Sequence, residues 1–446
     1  MTREALDQWF INKVMDNKEH YAEDYKKVNQ AVASSKAIYK GKPVPFLYMP
    51  KFYTEHDLAS FNRLTESMMK ICRKMIDLYR SVPLIRKKYN FDSRLEALIL
   101  KDEAYRSYVP MARFDVFYYG PDDFMFCELN TDGTSAMNED MILASILGES
   151  EIVEEMSETF EMRSFELFDT WVKEVQSIYT EATGKLSKPT VAIVDFIDKG
   201  SNIEFEEFKL RFEKAGFEAY IADPRDLTYD DGLMFEDVKL DVVYRRLVTR
   251  DMMDRIDEIP AFEKACLDNK TVVIGNIRSQ VVHTKVFFEL LFDESVREFF
   301  TKDELAFIDR HVPYTDPIRN ISYSIDKFVE NKDQYLIKPL DFYASIGVYA
   351  GASHTSEEWR KILEEHLDKP YLIQRFCKPA ITSNVDMVDG ELQVGEYKNI
   401  TGLYIYNEKV YGVYSRAGRT AIISGLHDVF TLPTFFVKTE DEMSLT

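Results

Sequence analysis

Cysteine is scarce in this chain, with four residues in 446, at Cys72, Cys127, Cys266 and Cys377. No two form a Cys-x-x-Cys pair, and none has a histidine nearby at metal-ligand spacing. That excludes a disulfide framework and a structural zinc site. Positive charge is also short: 56 Lys and Arg stand against 77 Asp and Glu, a net charge of −21. A phosphate backbone or an anionic membrane needs a basic face, so neither is an expected partner, although a nucleotide pocket lined locally by Lys and Arg is still allowed. No apolar run is long enough to span a bilayer. The opening MTREALDQWFINKV is charged and amphipathic, unlike a signal peptide. A soluble, cytoplasmic protein is the expectation. Missing too are an internal repeat, a low-complexity segment and a legible Ser-His-Asp pattern. The seven histidines are scattered, and only His283 falls near a candidate site, where a structural role suits it.

What is present is globular: 45% hydrophobic and 13% aromatic residues, in a chain long enough for two or three domains. Four regions follow from the change of period. Residues 1–105 read as helical. Thr54 to Tyr79 is the clearest case, with Leu58, Phe61, Leu64, Met68, Cys72, Met75 and Tyr79 at helical spacing and Thr54 as cap. Residues 106–189 begin with two strand-like runs, RFDVFYY and FMFCELN, around a GPDD turn, and return to helical spacing from Asn138, broken near Gly148. Residues 190–276 alternate strand and helix: TVAIVDF, a helix over Ile203–Gly216, FEAYIAD, LDVVYRRL and KTVVIGN. That alternation predicts a parallel sheet with ligands at its strand C-termini. Residues 277–446 are mixed. They hold a short apolar helix at Lys285–Phe292, two strands around a small-residue turn in Tyr335–Gly351, a capping box at Thr355–Glu358, a buried strand at PYLIQRF, and β runs with turns at Asp389-Gly390 and Asn407.

The chemistry concentrates where FMFCELN runs into TDGTSA. A turn centred on Pro121–Asp122 sets Asp115 opposite Glu128 and Arg113 opposite Asn130. Two opposed carboxylates repel, and a bound divalent cation reverses that sign. Oxygen ligands from Asp115, Glu128 and Asn130 suit Mg²⁺; a solvated strand end with scattered charges is the plain alternative. TDGTSA (Thr131–Ala136) has small residues that let backbone N–H groups approach a phosphate, and a helix follows, though an ordinary turn looks the same. Lys338 ends the apolar run YLIK and Lys285 begins an apolar helix; a phosphate suits such lysines, and so does snorkelling to solvent. Arg416 and Arg419 follow strands near the C-terminus, where an arginine clamps a phosphoryl group or a carboxylate. Arg245 and Arg246 end the strand DVVYRRL; one of them holds a substrate carboxylate, or both make surface ion pairs.

Together these pieces resemble the circularly permuted ATP-grasp ligases, in particular the synthetase domain of glutathionylspermidine synthase, from about Arg113 to Val437. RFD with CELNTDGTS looks like the family's Arg-x-Asp and Glu-x-Asn pattern. HTKVFFELLF looks like its lysine-led helix, YLIKPL like its Lys-Pro strand, YLIQRF like its hinge strand, and TGLYIYNEKVYGVYSRAG with LPTFFV like its closing segment. The resemblance implies an α/β protein with a circularly permuted ATP-grasp fold, an inserted βαβ (pre-ATP-grasp-like) substrate lobe and an N-terminal helical region. It implies Mg²⁺ on Asp115, Glu128 and Asn130. Arg113 would stabilise an acyl phosphate, Ser135 would meet the substrate carboxylate, Lys285 and Lys338 would grip ATP, Gln374 would lie by the adenine, and Arg416 would stabilise charge during phosphoryl transfer.

Departures bear on the substrate. The family's first substrate-loop serine falls at Gly133, Ala136 replaces a polar residue, the Pro-Trp-Glu acceptor motif is absent, and SIGVYAG replaces a more glycine-rich lid. Glutathione and spermidine are therefore weaker expectations than ATP and Mg²⁺. The expected activity joins a small-molecule carboxylate, from an amino acid or small peptide, to an amine. A small-molecule kinase and a non-catalytic nucleotide-binding regulator of the same fold are the rivals.

Overall fold

A computed structural model describes residues 2–39, 41–198, 202–340, 347–420, 422–423 and 429–438. The Thr54 hydroxyl accepts from the Asp57 N–H, and the Asp57 carboxylate accepts from the Thr54 N–H. This capping box starts the helix Glu55–Ser81. Its stripe of Phe61, Leu64, Met68, Cys72, Met75 and Tyr79 is buried in one core with Phe114, Val116, Leu403 and Val413. Burial of each large apolar side chain stabilises that contact by about 1.5–3 kcal/mol. Helices Arg3–Asp16, Lys18–Ala33, Pro83–Tyr89 and Ser93–Leu100 flank it. The helical expectation for this region needs correction at three short strands, of which Ile38–Tyr39 and Lys42–Pro43 pair antiparallel with each other. Lys51–Thr54 is a strand, parallel to Thr434–Lys438 from the far end of the chain. Four residues are too few to show a period, and their partner is remote in sequence.

The hairpin strands Met111–Gly120 and Asp123–Asn130 belong to an antiparallel six-stranded sheet. Its order runs Val429–Leu432, Lys409–Gly418, Glu391–Tyr406, Met111–Gly120, Asp123–Asn130. Ala380–Val388 pairs with Glu391–Asn399 of the long strand, and Met111–Val116 with Thr401–Tyr406. Lys409–Gly418 occupies the other edge, so these two partners share one edge and the sheet forks at Ile400.

Thr190–Val194, Glu218–Ala222, Val242–Arg245 and Val272–Ile274 form the parallel sheet expected from the strand–helix alternation. Helix Asn202–Lys214 packs against it and ends before Gly216, whose φ of +85° suits glycine. A further antiparallel sheet has the order Thr315–Pro317, Tyr371–Arg375, Tyr335–Pro339, Tyr349–Ala350. The small-residue turn read between its last two strands, and the first two residues of SIGVYAG, lie outside the described residues. Helix Ser356–His366 starts at the Thr355–Glu358 capping box. The architecture is mixed α/β, with helices and several separate sheets. Among the described residues, no helix is long and apolar enough to cross a membrane.

Candidate functional site

The hairpin register sets Asp115 opposite Glu128 and Arg113 opposite Asn130. Two irregularities lie between those pairs and the turn, one after Asp115 and one near Gly120. They offset each other, so the simple count from Pro121–Asp122 arrives at the observed pairs. Residues two apart on a strand share a face, which puts Arg113, Asp115, Glu128 and Asn130 on one side of the sheet. Ile400 pairs with Arg416 and Gly402 with Asp115, so Arg416 joins them there.

Asp115 is 0% exposed and sits between two guanidiniums. Arg113 donates Nε to Oδ1 at 2.7 Å and Nη2 to Oδ2 at 3.1 Å, and Arg416 donates Nη2 to Oδ2 at 2.6 Å. Asn130 Nδ2 adds a contact at 3.3 Å. Burial alone would raise the Asp115 carboxyl; the charges of Arg113 and Arg416 outweigh it and hold the group below the ordinary carboxylate range. The Tyr414 ring lies under both arginines, 5.3 Å from Arg113 and 5.4 Å from Arg416. Gly402 makes the arrangement fit, because a Cβ there would stand 2.8 Å from Arg113 Cδ and 2.9 Å from Asp115 Oδ1. Arg113 Nη1 and the Tyr404 hydroxyl both donate to the Ser135 carbonyl, which leaves the exposed Ser135 side chain at the rim.

An ionised carboxylate offers about four lone-pair sites. Asp115 accepts four hydrogen bonds, so it does not fit the part of metal ligand in this arrangement. The carboxylate repulsion that suggested a cation is met instead by Arg113 and Arg416. Glu128 and Asn130 keep acceptor capacity; the one hydrogen bond recorded between them runs from Asn130 Nδ2 to Glu128 Oε1, at 3.2 Å. Among the described residues, no group of three or more His, Cys, Asp or Glu side chains converges on a common metal position. Mg²⁺ commonly takes one or two protein ligands plus phosphate oxygens and water, and Glu128 with Asn130 fits that pattern.

The two lysines come together beside Glu128. Lys338 is buried, with Nζ 5.8 Å from the Phe288 ring in the helix that Lys285 precedes. Burial, reinforced by Lys285, brings the Lys338 ammonium down to about 8, while Cys127 and Glu128 pull the other way. No ion pair to Lys338 occurs among the described residues. Lys338 pairs with Leu372 and Leu336 with Gln374, so Lys338 and Gln374 face the same side of the small sheet. Gln374 is buried and donates to Thr315 Oγ1 at 2.8 Å.

The loop Thr131–Ala136 differs from the phosphate nest considered for it. Helix Met137–Gly148 already has an anion at its start: Glu204 accepts from the N–H groups of Met137 at 2.9 Å and Asn138 at 3.4 Å. Gly133 has φ +62°, and a Cβ there would lie 2.4 Å from Val248 and 2.9 Å from the Arg246 carbonyl. The loop fills the crevice at the parallel strands' C-terminal ends. Arg245 and Arg246 hold it there and are not surface residues. Arg245 Nη2 donates to Asp132 at 2.6 Å, and Arg246 Nη2 donates to Glu204 at 2.5 Å, each pair almost fully buried. Arg246 also donates to the Thr134 carbonyl. Both guanidiniums form buried ion pairs inside the chain, which corrects the reading of the two as surface pairs.

With this geometry in view, comparison with known proteins bears on the fold. The chain is similar in fold to a glutathione synthetase-like effector from Globodera pallida. The match has a TM-score of 0.59 at 11% identity and covers 94% of this chain and 98% of that one. A solved D-cycloserine synthetase aligns over 55% of this chain and 90% of its own with 12% identity, and its TM-score of 0.27 carries no argument. No protein-family model matches the sequence. No curated protein matches it either.

Sequence reasoning passed over Tyr404, Gly402, Tyr414 and Glu139. Burial and Glu204 push the Glu139 carboxyl up to about 7. One signal was available: Gly402 interrupts a strand of β-formers, which marks a close approach.

Proposed function

We propose that the chain is an ATP- and Mg²⁺-dependent carboxylate–amine ligase of the circularly permuted ATP-grasp kind. The observation that carries this reading is one sheet face on which Arg113 and Arg416 are locked to Asp115, with Glu128 and Asn130 beside them. Lys338 lies near Lys285 and Glu128 and shares a side of the small sheet with Gln374, and in this reading the two lysines and Gln374 hold a nucleotide's phosphates and base. In this reading ATP phosphorylates a substrate carboxylate, an amine attacks the acyl phosphate, and amide, ADP and phosphate leave. Arg113 and Arg416 are fixed before charge develops, so they stabilise it without reorganising. Arg416 Nε is buried without a hydrogen-bond partner, leaving a donor for that charge. The Ser135 hydroxyl meets the carboxylate. Mg²⁺, held by Glu128 and Asn130, would neutralise charge on the phosphates. Asp115 acts as the anchor of the arginine pair.

The deciding experiment screens pairs of amino acids with ATP and Mg²⁺ for phosphate release and for a condensed product by mass. A stable phosphorylated product without free phosphate would support the kinase rival, and absence of nucleotide binding would overturn the reading. Glu128→Gln is expected to weaken Mg²⁺-dependent ATP binding by roughly tenfold or more, since each tenfold corresponds to about 1.4 kcal/mol. Unchanged binding would remove Glu128 from the metal.

Lys338 adds a pH dependence. ATP affinity should fall as pH rises through about 8, where Lys338 loses its proton, and Lys338→Met should flatten that slope. Stability moves oppositely. The folded lysine deprotonates below its unfolded counterpart, so between about 8 and the usual lysine range the unfolded chain binds more protons and the nucleotide-free fold gains stability as pH rises. Calorimetric titrations of both proteins across that window check the binding slope.

A further inference from the structure

The fork in the large sheet opens onto a cavity of about 300 Å³. Asn399 and Thr401 stand at the fork, Tyr118 lies on one diverging strand and Thr382 on the other. Helix Arg3–Asp16 and Lys51 close the remaining side. Thr401 pairs with Val116, whereas Gly402 pairs with Asp115. Neighbouring residues of a strand face opposite ways, so the cavity lies on the reverse of the face that carries the arginine pair.

Its lining holds two opposite charges that attract each other, with no hydrogen bond or ion pair between them among the described residues. Lys51 is 8% exposed, and among the described residues its ammonium makes no hydrogen bond or ion pair; the Tyr53 ring centroid is 5.9 Å from Nζ. Asp7 has Oδ1 buried without a hydrogen-bond partner. Burial pushes the Lys51 ammonium down and the Asp7 carboxyl up. Asn399, 7% exposed, donates through Nδ2 to Ala380 O and Thr382 Oγ1, while its Oδ1 is buried and unsatisfied. Arg3 is already matched by Asp57 and the Tyr119 carbonyl. Buried charges and carbonyls without partners are costly, and a ligand that supplies both signs relieves all three.

We propose that this cavity binds a small zwitterionic α-amino acid, with its carboxylate on Lys51 and its ammonium on Asp7 and the Asn399 side-chain carbonyl. A simple anion satisfies Lys51 and is repelled by Asp7; a simple cation meets the reverse. The volume stands at the lower end of ordinary ligand pockets, which suits a single amino acid. The site does not rest on the ligase reading, because no nucleotide is involved.

The test is calorimetric titration of the intact chain, without nucleotide, using glycine, L-alanine, L-serine, L-glutamate, L-lysine and L-phenylalanine. It is repeated in an Arg416→Ala background, which alters only the opposite face and should leave this binding unchanged. At least one amino acid is expected to bind one-to-one. Lys51→Met and Asp7→Asn should each weaken that binding by roughly tenfold or more. The N-acetyl and methyl-ester derivatives of the same amino acid, each missing one charge, should weaken it as well, and they keep the test open should either variant fail to fold. The proposal is overturned by no binding across the panel, by binding that survives both substitutions, or by derivatives that bind as well as the parent.

Discussion

Arg246→Met should cost about 3–5 kcal/mol of stability, the usual penalty for leaving one member of a buried ion pair uncompensated. Glu204 is 1% exposed and serves two partners at once. One oxygen accepts from Arg246 and the other from the first N–H groups of helix Met137–Gly148. Removal of the guanidinium strands the carboxylate and releases the Thr134 carbonyl. The loop that connects the hairpin to that helix then keeps Gly133 packing, the Asp132 bonds to Arg245 and Thr249, the Thr131–Ser279 contacts and the Arg113 and Tyr404 bonds to the Ser135 carbonyl. Glu204→Gln should cost less, since an amide oxygen still accepts from Met137. The double variant should lose clearly less than the sum of the two single losses, because it leaves no unpaired charge. Urea midpoints of the four proteins read this directly. If Arg246→Met moves the midpoint no more than an ordinary surface change would, the arginine is not holding the scaffold, and the substrate reading stands for it.

What was legible in the sequence is what local chemistry decides. Helix Glu55–Ser81 is announced by its own cap and stripe, and the parallel sheet by strands alternating with helices. The hairpin register was readable because the two irregularities offset each other. The remainder depends on partners distant in sequence. Asp115 and Glu128 do oppose one another, but the compensating charge comes from Arg113 two residues away and Arg416 far down the chain. DVVYRRL shows two arginines at a strand end and nothing of Asp132 or Glu204. TDGTSA has the composition of a phosphate loop, and only its contacts with Val248 and Arg246 reveal a splice between two layers. Lys51–Thr54 is a strand because Thr434–Lys438 is there to pair with it.

Arg416→Ala should lower turnover by about 10²–10³-fold, the effect of removing one preorganised donor from developing charge. The fold should survive, because Asp115 keeps both Arg113 contacts at 2.7 and 3.1 Å. Nucleotide affinity should change little, since Lys338 and Gln374 are untouched, so the loss belongs in kcat rather than in KM for ATP. Arg113→Ala is a poorer probe: it removes those two contacts together with the one that fixes the Ser135 carbonyl. Arg416→Lys restores charge without the planar fork and should recover only part of the rate, because a lysine cannot donate to Asp115 and keep a second, rigidly oriented N–H on the phosphoryl group. The assay is ATP-dependent phosphate release with the amino-acid pair that the screen identifies. Turnover by Arg416→Ala close to that of the parent would separate the arginine pair from catalysis and leave it a structural clamp on Asp115.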